Sequence, residues 1–440
     1  MRRAWIAVLT AVVAASLPRC GEEQKPVLPG GGAGTGTGPA TIIRPIEGSK
    51  QVALIVLYSI GGDHDPEGRS GLAHLIEHLY VTAAAGEQRS RTIDEFVARY
   101  PMSWNAQTGD RYTVIATIFP PERLEEELKD AAARMGDLKV TSADLERELP
   151  RIFEELENMF ARMPMLAAMN NARELVRPAP LGGRKGGLPD HLKAVTVEEV
   201  QARLKSYYKP ANAAIVIAGA IDRTKVDGLL KKHFGGLPAG EPVPAPNEPG
   251  PPAFGSVKEI TVKPPMPESG AEVCLTFVAP QPKDELYAPF LVLVVRMFGA
   301  LEAADGSGKA VRVMFTPLDD PAVLTASTAV AAGETPKEAF ARIEAFIERI
   351  LKPRLTGSEP MMVRNSVGWM VGFADLPDSV FAQNAYGLAY SVGRQKQLGV
   401  DSAALKKAME SMNDGLLDRA KKEVFGPDRR AGACVLIEKE

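Results

Sequence analysis

His74-Leu75-Ile76-Glu77-His78 is the stretch on which the reading of this chain turns. On an α-helix its two histidines lie one turn apart on one face, with Glu77 beside them. Imidazoles at i and i+4 supply half of a tetrahedral zinc site, and an adjacent carboxylate can serve as a base toward metal-activated water. The chain holds only five histidines, His64, His74, His78, His191 and His233, so the pair does not come from a histidine-rich background. The competing reading is two histidines on a polar surface, and the flanks argue against it. Residues 52–60 form an apolar run of strand length rich in β-branched side chains, and residues 61–68 have turn composition. Ser70 is the expected N-cap of a helix starting at Gly71. Leu72, Leu75, Ile76 and Leu79 form the apolar stripe, which puts the histidines at its margin. His64, in the turn, reads as an ordinary loop residue.

Two histidines need a third ligand, and the carboxylate-rich segment 145–157 is the natural source. Leu145, Leu149, Ile152, Leu156 and Met159 repeat at helical spacing and mark its buried side. Glu148 and Glu155 are 155 − 148 = 7 residues apart, two turns along one edge of that stripe, whereas Glu154 points about 100° further round. Glu155 is therefore the expected ligand, and Glu148 a carboxylate that orients one histidine. Without the histidine pair, such a run would read as a solvated acidic face.

These residues resemble the pitrilysin/insulinase-type zinc metallopeptidases, the H-x-x-E-H (inverzincin) class. Gly71-Leu72-Ala73-His74 is similar to the segment that opens the family's zinc helix. Residues 151–156 resemble the second half of its E-R-x-V-V-x-E-E-L segment, which implies the third zinc ligand at Glu155 and the second carboxylate at Glu148. Asn105-Ala106-Gln107-Thr108, followed by Asp110 and Tyr112, resembles the family's N-A-x-T strand beside the active site. Tyr208, Pro210 and Asn212 match its Y-x-P-x-N strand, and residues 234–238 its exit from the catalytic domain. The likeness is specific over roughly residues 42–240 and one of layout beyond. Two departures stand out. Pro150 falls inside the ligand-bearing helix, where proline removes a backbone bond and is expected to kink the chain. The second half has no clear copy of the family's Gly-rich loop and Ser-Arg-Leu segment, residues 306–312 being the nearest stretch. Gly306-Ser307-Gly308-Lys309 lacks the flanks of a phosphate loop.

A net charge of −3 and pI near 6.1, with no basic block, give no reason to expect nucleic acid. The three cysteines, Cys20, Cys274 and Cys434, have no C-x-x-C spacing, so nitrogen and oxygen must hold any metal, and Cys274 reads as a core residue. Residues 1–20 read as a signal peptide, with Arg2-Arg3 before a short apolar stretch. Cys20 suggests a lipoprotein box, although Arg19 fits it poorly. Residues 21–41 form a Gly/Pro-rich linker, and residues 241–255 a proline-rich one. The expected protein is exported, either periplasmic or a membrane-anchored lipoprotein.

The expected fold is α+β, a half-clamshell of two similar-sized domains (residues 42–240 and 256–440). Each is an antiparallel-rich sheet with helices packed on one face. The second domain has no histidine pair and is expected to carry no metal; in it, Thr335-Pro336-Lys337-Glu338 is a capping box. The resemblance implies a zinc-dependent endopeptidase with one Zn²⁺ on His74, His78 and Glu155 and with Glu77 as general base. Asn105, Ala106 and Thr108 would receive an extended or unfolded peptide as an added strand. The alternative is a non-catalytic or half-catalytic subunit, because relatives of this length resemble half of a larger clamshell and pair as homodimers or heterodimers with a related chain. A purely structural zinc fits less well, since such sites prefer four closed ligands.

Overall fold

Two five-stranded sheets share one strand order. The computed structural model describes residues 38–161, 163–262, 270–300, 310–315, 317–319, 322–351, 363, 365–368, 381 and 383–437. The proposed signal peptide, Cys20, most of the first linker and residues 306–309 lie outside them. In the first half the strands are β1 (Ala40–Pro45), β2 (Val52–Tyr58), β3 (Ala84–Ala85), β4 (Ser103–Thr108), β5 (Thr113–Phe119), β6 (Leu138–Lys139) and β7 (Ala213–Gly219). β3 and β6 pair only with each other, and the rest form a sheet in the order β1-β7-β2-β5-β4. The second half supplies β8 (Val257–Val262), β9 (Glu272–Val278), β10 (Arg312–Phe315), β11 (Val323–Ala329) and β12 (Arg430–Ile437), in the order β10-β11-β9-β12-β8. Taken by rank in the chain, each sheet runs third-fourth-second-fifth-first. In each, the first and fifth strands are parallel and every other pair is antiparallel. The plan is repeated although the sequence is not.

The apolar run at 52–60 gives β2, whose seven residues are all buried. Val52, Leu54, Val56 and Tyr58 enter one core, and Ala53, Ile55 and Leu57 enter another. A continuous rather than alternating apolar strand requires both faces to be covered. One face meets helices of the same half: α1 (Leu72–Thr82), α2 (Ile93–Arg99), α3 (Leu124–Gly136), α4 (Ser142–Ala161), α7 (Val197–Tyr207) and α8 (Arg223–Phe234). Helices on that face are what the sequence leads one to expect. The structure adds a crossover on the other face. Ala385, Leu388 and Ala389, from a helix of the second half spanning Ala385–Leu398, pack there with Phe381. In return α5 (Pro164–Val176) packs Ala167, Ala168 and Ala172 on Cys274, Ala433 and Val435 of the second sheet. Between α5 and α7 lies the short α6 (Pro189–Lys193). The remaining face of the second sheet is covered by α9 (Tyr287–Gly299) and α10 (Pro336–Ile350). The Thr335–Glu338 capping box forms as read.

α4 runs through Pro150 without a break. Leu145, Ile152 and Leu156 are buried along it as the helical spacing predicts. The proline-rich segment 241–255 is stitched down rather than loose. The Asn247 backbone amide donates to the Asp63 carbonyl at 2.8 Å and its side-chain amide to the Asp65 carbonyl at 3.0 Å. Among the described residues, no helix is long and apolar enough to cross a membrane.

Candidate metal and active site

α1 and α4 pack together and bring the sequence-selected residues to one point. His74, His78 and Glu155 each offer a donor atom within 4.8 Å of the others. Glu155 Oε1 is 3.7 Å from His74 Nε2, and Oε2 is 3.4 Å from His78 Nε2. The imidazole rings stand nearly perpendicular, 4.9 Å between centroids. Glu154 is exposed, as the helical phase requires. Glu148 is buried and faces His78 from the other side, its Oε2 3.6 Å from Nδ1. Glu148 and Glu155 therefore both reach His78 in spite of Pro150, and the seven-residue phase survives the proline.

Glu148 owes its charge to its neighbours. Burial alone would raise its pKa, but His78, Arg151 and Arg147 hold it below the usual glutamate range. Arg147 Nε donates to Oε1 at 3.1 Å and an Arg151 guanidinium nitrogen to Oε2 at 2.6 Å. Burial works against a charged His78, yet Glu148, Glu155 and Glu77 outweigh it and raise its pKa to about 9. Glu155 is held below its ordinary value, the imidazoles overcoming the effect of burial. His74, His78 and Glu155 supply the two nitrogens and one oxygen of the donor set that catalytic zinc sites use.

Glu77 is buried, and Thr108 Oγ1 donates to its Oε2 at 2.8 Å. Thr108 belongs to β4, which among the described residues is an edge strand laddered with β5 alone. Ala106 and Trp104 lie on the α1 side of that strand, whereas Asn105 points to the other side and donates its side-chain amide to Tyr386 Oη at 3.1 Å. Of the three residues selected on this strand, Thr108 thus touches the Glu77 carboxylate, Ala106 faces the same way, and Asn105 faces the second half.

Two local expectations need correction. Ser70 does not cap α1. Gly71, with φ of 97°, occupies the N-cap position, and the carboxylate of Asp65 caps from the preceding turn. Asp65 Oδ2 accepts from Gly71 N at 2.7 Å and Oδ1 from Ala73 N at 2.9 Å. Burial pushes the Asp65 pKa up to about 7, opposed by those amides. Nor is His64 an ordinary loop residue: it is buried, and its Nδ1 accepts from Gly61 N at 3.2 Å. Burial and the nearby Arg203 charge lower its pKa to about 4, so it stays neutral. Sequence reasoning also missed Arg147 and Arg151, for which the only signal was arginine at one and three residues from Glu148.

Comparison with known proteins gives the family. Residues 42–183 match the family described as insulinase (peptidase family M16), and residues 194–359 match the peptidase M16 inactive domain. The chain belongs to the insulinase-type M16 peptidase family. Among curated relatives, zinc protease PqqE of Helicobacter pylori is 27% identical over 198 residues, 44% of this chain and 44% of that protein. Core protein I of the Euglena gracilis ubiquinol-cytochrome-c reductase complex is 27% identical over 187 residues, 42% of this chain and 37% of that protein. The matches thus span less than half the length of these relatives. Among solved structures, a Helicobacter pylori protease superposes with a TM-score of 0.75 at 19% identity, covering 91% of this chain and 97% of that one. The periplasmic protease PqqL of Escherichia coli gives a TM-score of 0.70 at 16% identity, covering 91% of this chain but 46% of that one. At such identities the superpositions speak for the fold.

Proposed function

We propose that this chain is a zinc-dependent endopeptidase acting on unfolded or extended peptides. The observation that carries the reading is the convergence of His74, His78 and Glu155 donor atoms within 4.8 Å beside Glu77. The two histidines and Glu155 would hold the ion, and Glu148 would orient His78. Zinc, when bound, polarises a scissile carbonyl and makes a water acidic enough to lose its proton near neutral pH. Glu77 accepts that proton and returns it to the leaving amine. The Thr108 hydroxyl fixes Glu77 Oε2, which leaves Oε1 as the oxygen that carries the proton. The open edge of β4 gives an extended peptide a backbone ladder beside the metal, a mode that reads main chain more than side chains.

Glu77→Gln keeps the shape of the side chain and removes its basicity. We expect zinc to stay bound while cleavage of an unstructured peptide falls by at least about 10². Cleavage that survives the substitution unchanged would refute the mechanism. A second reading, a half-catalytic or non-catalytic subunit of a paired complex, is favoured by one observation: this chain covers 46% of the Escherichia coli PqqL structure. The assay therefore runs the chain alone and with a related chain encoded beside it. Zinc-loaded protein that stays inactive with every partner would select the subunit reading. The name of that Escherichia coli protein and the charged, then apolar, start of this sequence support export to the periplasm.

A further inference from the structure

The metal group is touched by an element that carries none of its donors. His74 Nδ1 lies 3.0 Å from the carbonyl oxygen of Gly186, in the loop between α5 and α6. We propose that Gly186 is a positioning residue of the metal centre, its carbonyl fixing the tautomer and ring orientation of His74. The inference rests on the zinc reading above.

A carbonyl oxygen only accepts, so the contact requires a proton on His74 Nδ1. A neutral imidazole carries one such proton, which leaves the Nε2 lone pair free, and Nε2 is the atom turned toward Glu155. His78 is held at the same ring position by Glu148. The two ligands are thus aimed by different partners, one a carboxylate from α4 and one a backbone carbonyl from the loop. Such partners determine both ligand direction and basicity.

The loop is built for this approach. Gly186 has φ of +80°, and a Cβ placed there would lie 2.7 Å from Leu156 Cδ2, on the residue next to Glu155. The Leu156 methyl would have to move for a side chain at 186, and the left-handed φ there is strained for any residue with a Cβ. A substitution would thus disturb the backbone that aims the carbonyl at His74. Ser70 ties the loop to the start of α1. Its Oγ accepts from Arg184 N at 2.9 Å and donates to the Arg184 carbonyl at 3.1 Å. Gly187, with φ of +111°, lies so close to Gly71 that a Cβ on it would be 2.7 Å from the Gly71 Cα. Here the hydroxyl that was expected to cap α1 finds its use: it fastens the carbonyl-bearing loop to the helix that carries His74.

The test compares Gly186→Ala with Ser70→Ala, which adds no atoms, in the full chain. Zinc affinity is measured by chelator competition, and the imidazole ¹⁵N–H signals are recorded on zinc-loaded protein. Both variants should bind zinc about 10- to 100-fold more weakly. The His74 Nδ1–H signal should broaden or exchange faster while that of His78 persists, a selectivity that general destabilisation would not produce. If Gly186→Ala does not fold, Ser70→Ala decides. Wild-type affinity and an unchanged His74 signal in the folded variants would overturn the inference and leave the zinc reading intact. Wild type that takes up no zinc would overturn the zinc reading itself.

Discussion

Replacing Glu148 by Gln isolates the charge behind His78 from its shape. The two arginines donate to different carboxylate oxygens, and glutamine has one acceptor oxygen. One charge-assisted bond therefore becomes charge–neutral, weaker by about 1 kcal/mol, and the other arginine is left facing an amide NH2. Both arginines keep roughly a third of their side-chain exposure, 30% and 32%, and recover part of that loss by hydration. The metal-free fold should therefore lose about 2 kcal/mol. The metal centre should lose as well, because the group facing His78 Nδ1 no longer carries charge. A 10- to 100-fold drop in zinc affinity is expected, about 1.4–2.8 kcal/mol. The pH dependence has a definite sign. Glu148 in the folded chain sits below its ordinary value, so its contribution is present above the unfolded glutamate range and is lost as the pH falls through the folded value. Thermal unfolding of the metal-free proteins should show the two melting curves converging toward acid. Zinc affinity within twofold of wild type, measured by competition with a chromophoric chelator, would refute the argument.

Two further outcomes follow from the same geometry. Glu155→Gln should weaken zinc binding far more than Glu154→Gln, because only Glu155 reaches both imidazoles; equal losses in a chelator titration would count against the ligand assignment. Zinc uptake at pH 7 should release about one proton, since His78 titrates at about 9 in the metal-free chain and must be neutral to bind. Calorimetry in buffers of different ionisation enthalpy reads that proton, and it should disappear as the pH rises past the His78 value.

The local parts of this design were legible from residue order, and the distant ones were not. The i, i+4 histidines and the seven-residue spacing of Glu148 and Glu155 are helix geometry, which survives folding unchanged. The apolar run 52–60 was equally readable as a strand, but helices were expected on one face only, and the structure covers both. What covers the second face, Ala385 to Ala389, lies more than three hundred residues away, and no periodicity near residue 55 points to it. The cap of α1 was misread for a related reason. Ser70 has the right side chain at the right place, but the Asp65 carboxyl reaches two free amides at once from the preceding turn. The loop at 183–187 left one trace, the paired glycines Gly182-Gly183 and Gly186-Gly187, which mark unusual backbone without saying what it approaches.

The exchanged helices bear on how such a chain can be divided. The described residues, from 38 to 437, belong to one compact unit. A cut in the segment 241–255 would strip the first sheet of Ala385, Leu388 and Ala389 and leave Ile55, Leu57 and Val216 open to water. The same cut would take α5 from the second sheet and bare Cys274 and Val435. Each fragment would then carry an apolar sheet face shaped for its lost counterpart. The two fragments are made to find each other in trans, and neither is a module that evolution or an engineer can move alone. The half that carries His74, His78 and Glu155 is thus not a self-sufficient unit.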